Sequence, residues 1–253
     1  MVQNTAITSR GTALRLPKAP NPMGALAARI FKDVPLRSFE RKALRELLDV
    51  AQREISPHDP AHDFSHAVRV LGLAMRLWKK EGGDPLVIGA AALFHDLIVY
   101  PKNSPDARHS AARSAVQMGD LLRKTKLFPR AKIGAAKYVV SVCSFSHGKE
   151  CRTIEAKVVK DADSIEKSGV IAFMRAYSTG GQLGRPFFDV FAPLTKAEPG
   201  ALTTINYLQL LVEILEGNLE TESARETVGR RIMVMKSLIA SLRDELSESG
   251  VLG

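Results

Sequence analysis

His95 and Asp96 stand side by side at the end of a very apolar run, Pro85-Leu-Val-Ile-Gly-Ala-Ala-Ala-Leu-Phe94. That run reads as a buried helix. A carboxylate at the edge of a core is costly unless its charge is compensated. A divalent metal ion would compensate it, with the adjacent imidazole as a natural co-ligand. The chain offers more of the same chemistry. All six histidines fall between His58 and His147, and Asp163 follows on the apolar face of a later helical segment. His66, His95, Asp96 and Asp163 would lie on three different helices. They can serve one ion only if those helices pack around a common centre. Adjacent helical residues point about 100° apart, so His95 and Asp96 converge only if side chains bend or the helix end is distorted.

The elements that must carry these residues are helical almost throughout. Leu44, Leu47, Leu48, Ala51 and Ile55 recur at helical spacing, and Pro57 closes that helix. Residues 63–80 form a second, with Val68, Leu71, Met75 and Trp78 on one face and Gly82-Gly83 as its stop. Asp84-Pro85 is an N-cap and first-turn pair for the helix that ends at the His-Asp dipeptide. Ser104-Pro105 repeats the device for a fourth, placing His109, Ala112, Val116 and Gly119 on one face. A fifth opens near Pro129 with Ile133, Ala136, Val140 and Cys143 aligned, and Thr153 caps a sixth with Ala156, Val159 and Asp163 aligned. Gly180 to Pro186 reads as a loop. Two amphipathic helices finish the chain, marked by Ile205, Leu208, Leu211 and Leu215, then by Ala224, Val228, Ile232, Met235, Ile239 and Leu242. The expectation is an all-α protein, with one helical domain over 36–248 and a flexible, basic, disordered tail over 1–35.

Composition narrows the function classes. The chain has 253 residues, of which 45% are apolar, enough for a substantial core. No uninterrupted apolar stretch reaches membrane-spanning length. Two cysteines, Cys143 and Cys151, form no disulfide framework and suit a reducing compartment. The net charge of +9 favours anionic partners in general. The basic residues are spread along the sequence without a dense block or interleaved aromatics, which argues against a nucleic-acid platform. Residues 1–32 hold no acid but carry Arg10, Arg15, Lys18, Arg29 and Lys32. A disordered basic tail and a cytoplasmic protein are expected; an organellar transit peptide has the same composition.

The ordered set His66…His95-Asp96…Asp163 resembles the H…HD…D signature of the HD-domain superfamily of metal-dependent phosphohydrolases. The flanks resemble it too: Asp63-Phe-Ser-His66-Ala-Val-Arg-Val70, Phe94-His-Asp-Leu97 and Glu155-Ala-Lys-Val-Val-Lys-Asp-Ala-Asp163-Ser-Ile-Glu166. Pro101-Lys-Asn-Ser-Pro105, Ser144-Phe-Ser146 and Gly180-Gly-Gln-Leu-Gly-Arg-Pro186 extend the likeness to the uncharacterised YedJ-like hydrolases. It covers about residues 40–195, with 200–248 as a C-terminal helical extension. The resemblance implies a single HD-type helical bundle. It implies His66, His95, Asp96 and Asp163 as ligands of one divalent ion, which could be Mn, Mg, Fe, Co, Ni or Zn. His109 and His147 are the candidates for a second ion that Asp96 would bridge. Cys143 falls where some relatives carry a histidine, which counts against a complete second site.

The same resemblance implies hydrolysis of a phosphorylated small molecule, such as a nucleotide, by metal-activated water. Asp161, beside the last ligand, and His62, one turn before the first, are candidates for proton transfer; His58 is expected to be exposed. Lys102 and Asn103, on the loop after the His-Asp pair, and Arg185, after a glycine turn, are candidates for holding the phosphate, Lys102 also for charge stabilisation. Two other readings stay open. One is a di-iron oxygenase on the same helices, which needs the full second site. The other is a nucleotide-binding regulatory module without turnover.

Overall fold

In the computed structural model the described residues are 21–57, 59, 61–100, 104–144, 149–195 and 202–252. Among them no strand occurs, and ten α-helices carry the fold. The helices are α1 (Pro22–Ile30), α2 (Ser38–Glu54), α3 (Phe64–Glu81), α4 (Pro85–Phe94), α5 (Ser110–Lys124), α6 (Ile133–Val142), α7 (Ile154–Glu166), α8 (Val170–Gln182), α9 (Thr204–Gly217) and α10 (Glu222–Glu248). No described helix is long and apolar enough to cross a membrane.

The apolar run is the hub. All ten residues of α4 are buried, and it packs against α2, α3, α6 and α7. A helix apolar on every side has no solvent face to choose, so it must be surrounded. Asp84 starts it as expected, its Oδ1 accepting from Leu86 N and Val87 N at 3.0 and 3.3 Å. Gly89 lets α2 come close: a Cβ there would sit 2.3 Å from Leu44 Cδ2. Around this hub α3 packs on α7 and α5 packs on α6. Asp63 caps α3 by accepting from His66 N at 2.9 Å, and Thr153 caps α7 by accepting from Ala156 N at 3.3 Å.

Three expectations change. Residues 1–20 of the expected tail lie outside the described residues, but 22–35 are structured. Pro22 sits at the first position of α1, where its missing N–H costs nothing. Met23, Ala27, Phe31 and Val34 are buried, and Arg41 of α2 donates to Phe31 O and Val34 O at 3.0 and 3.1 Å. The second change is at Ser104-Pro105, which opens a turn and a 3₁₀ segment, so α5 begins only at Ser110. The third is at Gly180-Gly181, which belongs to α8. Gly180 is there because α9 is close: a Cβ would meet Thr204 Oγ1 at 2.6 Å.

Candidate metal centre

The main chain leaves helical form where convergence requires it. α4 ends at Phe94, and Leu97 N bonds back to Phe94 O at 3.3 Å in a tight turn. Ser114 of α5 pins that turn, accepting from Ile98 N at 2.9 Å and donating to Ile98 O at 3.2 Å. The distorted helix end brings His95 and Asp96 to one side, with Nε2 and Oδ2 3.3 Å apart.

His66 arrives from α3 and Asp163 from α7. His66 Nε2 lies 3.3 Å from His95 Nε2 and 3.6 Å from Asp96 Oδ2. The donor atoms of His66, His95 and Asp96 all lie within 4.8 Å of one another. Asp163 Oδ1 adds to the set at 3.7 Å from His66 Nε2 and 3.6 Å from His95 Nε2.

These residues fit a divalent ion on four counts. Asp163 Oδ1 is buried and has no hydrogen-bond partner, a condition that otherwise costs about 1–3 kcal/mol. Two imidazole nitrogens face one another, which needs a proton or a cation between them. His95 Nδ1 lies 3.0 Å from Ala92 O, and a carbonyl only accepts, so Nδ1 carries a proton and Nε2 faces the centre. Finally, ligands bonded at about 2.1 Å at octahedral or tetrahedral angles sit roughly 3.0–3.4 Å apart. The 3.3 Å pairs already meet that spacing, and the 3.6–3.7 Å pairs exceed it by a few tenths.

The electrostatics also call for positive charge there. Burial pushes the Asp96 carboxyl up, but His95, His66 and His62 outweigh it and hold it well below the usual range. Burial also pushes Asp163 up, and Lys167 with His95 reverses that. Burial alone would lower His95, yet Asp96 and Asp163 raise it to about 10.

A further layer holds these groups in place. Glu166 Oε2 lies 3.0 Å from His66 Nδ1 and 3.1 Å from Arg175 Nη1, while Oε1 takes Arg69 Nε at 2.8 Å. Arg175 Nη1 is itself 2.6 Å from His66 Nδ1. A guanidinium only donates, so in this arrangement Nδ1 accepts from Arg175; Nε2 becomes free to ligate when the ring proton moves to Nδ1, facing Glu166 Oε2, which otherwise has no hydrogen-bond partner. Lys167 pairs with Asp163 Oδ2.

His62 stands at the edge of the set, its Nε2 3.9 Å from Asp96 Oδ2 and its Nδ1 2.6 Å from Asp59 Oδ2. The Asp59 carboxylate is held ionised against its burial, so Nδ1 is the donor and Nε2 is the basic nitrogen. Burial, helped by Arg175, keeps His62 below its ordinary range despite Asp96 and Asp59.

A cavity of about 1050 Å³ opens over the centre, lined by His62, Asp96, Lys167, Arg175, Arg185 and Tyr207 among others. The Arg185 guanidinium stacks 5.7 Å over the Tyr207 ring. Cys143 lies in the wall as a buried thiol, raised well above its usual range by burial and by Asp163 and Asp96.

Two predicted site residues are elsewhere. Asp161 is fully buried but turned to α10: it accepts from Glu220 N, Thr221 N and Thr221 Oγ1 at 2.9, 2.8 and 2.7 Å. Turned that way, its carboxylate faces no group of the centre with which to exchange a proton. His109 is exposed at the start of α5, where Arg108 Nε donates to it at 3.2 Å. Of the face it was expected to share, Ala112 and Val116 are exposed, Val116 by 56%, and only Gly119 is buried; the core side is Ala111, Ser114, Ala115 and Met118. Lys102, Asn103, His147 and His58 lie outside the described residues. Among the described residues no second cluster of metal-ligating groups accompanies the first.

Sequence reading missed Lys167, Arg175, Glu166 and Asp59. Lys167 was within reach, four residues after Asp163 on the same helix face. Arg175 is 109 positions from His66, and nothing local announces it.

Residues 63–168 match the HD domain family. The uncharacterised Bacillus subtilis protein YpgQ is 24% identical over 213 residues, covering 82% of this chain and 95% of YpgQ. YpgQ solved in complex with ADP superposes with a TM-score of 0.58 at 22% identity, over 80% of this chain and 97% of that one. A Lactobacillus plantarum protein gives a TM-score of 0.65 at 23% identity, over 82% and 98%. An HD-superfamily hydrolase from Bacillus thuringiensis gives 0.61 at 21%, also over 82% and 98%. With the H…HD…D residues gathered from α3, the end of α4 and α7, and the matched region running from the cap of α3 to just past α7, residues 63–168 are an HD domain.

Proposed function

We propose that this protein is a metal-dependent phosphohydrolase acting on a phosphorylated small molecule, with a nucleotide as the favoured class. The observation that carries the reading is the buried, unpartnered Asp163 Oδ1 facing His66, His95 and Asp96 at the floor of a cavity whose wall holds Lys167, Arg175 and Arg185. His66, His95, Asp96 and Asp163 would hold one divalent ion. Such an ion supplies Lewis acidity toward a phosphoryl oxygen and a water acidified to near neutrality.

The chain's own groups do the rest. His62 Nε2 is the acceptor for the proton lost by the attacking water, with Asp59 fixing the tautomer and steadying the imidazolium. Lys167 and Arg185 neutralise the phosphate and the charge that builds on it. Arg175 is engaged by Glu166 and His66, so it orients the ligand more than it binds substrate. The roomy, mixed apolar and polar cavity suits a nucleotide, and YpgQ was solved with ADP. The di-iron reading has lost His109, the described half of its second site.

The test is metal analysis of the purified protein, then a screen for phosphate and pyrophosphate release from nucleotides and phosphorylated metabolites with each metal. Metal-dependent release, lost in His62→Gln with metal content kept, is the expected result. Stoichiometric metal and tight ADP binding without release from any substrate would replace this reading with the regulatory module.

A further inference from the structure

Arginines that are scattered in sequence meet in space behind Glu166. A second cavity, of about 570 Å³, is lined by Arg29 from α1, Arg69 and Arg76 from α3, and Arg230 and Arg231 from α10. Glu166 is the one carboxylate among the described residues that line it, and both its oxygens are committed, to Arg69 on this side and to Arg175 and His66 on the other. Among the described residues Arg29, Arg76, Arg230 and Arg231 have no acidic partner within ion-pair distance. Five guanidiniums against one carboxylate is a large local excess.

Part of the cluster is already fixed. Arg69 is held by Glu166 and by Ser65 Oγ at 2.9 Å, and Arg231 Nη1 donates to Ile165 O at 2.8 Å. Burial lowers the Arg231 guanidinium from its ordinary range; Arg76 adds to that and Glu166 opposes it. Gly169, at φ +69°, forms the wall beside Arg231, where a Cβ would be in ordinary contact with that side chain at 3.4 Å. Planar guanidinium forks converging from three helices match the paired oxygens of linked phosphates. No aromatic side chain lines the cavity among the described residues, so nothing there would stack a base.

We propose that this arginine pocket is a binding site for a compact polyphosphate anion, separate from the metal centre and divided from it by Glu166. The ligand chemistry is a di- or triphosphate group, free or at the end of a nucleotide.

The test is calorimetric titration of the full chain, freed of divalent metal, with inorganic tripolyphosphate at fixed ionic strength. Arg76 and Arg230 are exposed, so Arg76→Ala/Arg230→Ala leaves the packing intact, which circular dichroism would check. Lys167→Ala/Arg185→Ala reports on the main cavity. One tripolyphosphate per chain should bind, weakened at least about tenfold in the Arg76/Arg230 variant and unchanged in the Lys167/Arg185 variant. ATP competing for the same site would identify a nucleotide tail as a source; failure to compete would assign the site to the free anion. No binding to the wild type, equal binding in the Arg76/Arg230 variant, or loss only in the Lys167/Arg185 variant would overturn the proposal. So would a single-stranded oligonucleotide that binds through these arginines when tripolyphosphate does not.

Discussion

At the scale of the residue, His95 shows how one side chain is made ready for a metal. Its Nδ1–H is tied to Ala92 O, so Nε2 faces two carboxylates. Without an ion those carboxylates keep a proton on the ring, raising it to about 10 against the effect of burial. A metal must therefore displace that proton. Asp96 and Asp163 are held ionised far below neutrality and release none. The expected result is about one proton released per ion, with apparent affinity rising roughly tenfold per pH unit between about 6 and 8. Calorimetry in two buffers of different ionisation enthalpy measures the release. Affinity that is flat across that interval would mean His95 is neutral beforehand and the carboxylates are not its partners. The ligand residues were legible in the sequence because their types and order are chemically unusual. The groups that hold them in place were not, because Glu166 and Arg175 reach His66 from α7 and α8 through packing alone.

At the scale of the element, two aspartates on α7 show what periodicity can separate and what it leaves unread. Asp163 lies on the face of Ala156 and Val159, and Asp161 points elsewhere. Their spacing says no more than that. Where Asp161 points is decided by the residues leading into α10, Glu220 and the N-cap Thr221, whose amides it satisfies. Asp161→Asn should keep metal affinity and lower stability by roughly 1.5–3 kcal/mol, the value of hydrogen bonds to a charged acceptor. Asp163→Asn should instead weaken metal binding beyond the roughly 10–100-fold typical of losing a supporting partner. Chemical denaturation and metal titration of both variants check the pair. A metal defect in the Asp161 variant at unchanged stability would return Asp161 to the centre. His109 teaches the converse. It was read on a face with Val116, and periodicity alone cannot say which of two faces is inward; Ser114 and Met118 take the core because Ser114 must reach the turn after Asp96.

At the scale of the whole molecule, the helices beyond the matched region complete both the fold and the cavity. The HD match ends at residue 168 and the sequence likeness at about 195, with 200–248 expected as a C-terminal helical extension of the one domain. The packing makes that extension integral. α10 lies on α3, α7, α8 and α9, and α9 lies on α8. Ile205, Leu208, Ala224 and Met235 are fully buried, with Leu215 nearly so. Tyr207, Leu211 and Leu215 of α9 line the main cavity. Burying an Ile, Leu or Met side chain contributes about 1.5–3 kcal/mol. Ile205, Leu208, Leu215 and Met235 together contribute roughly 6–12 kcal/mol, comparable to the roughly 5–15 kcal/mol by which a domain is stable at all. Removing them also strips Asp161 of its three donors and leaves a charge beside an opened core. A chain ended at Thr195 is therefore expected to lose cooperative thermal unfolding and to retain no metal after dialysis, whereas the full chain unfolds cooperatively and keeps its metal. Melting curves followed by circular dichroism, with metal analysis of the same samples, decide it. A cooperative transition within a few degrees of the full chain's, with metal still bound, would make residues 1–195 the folding unit and α9 and α10 additions to a centre that stands without them.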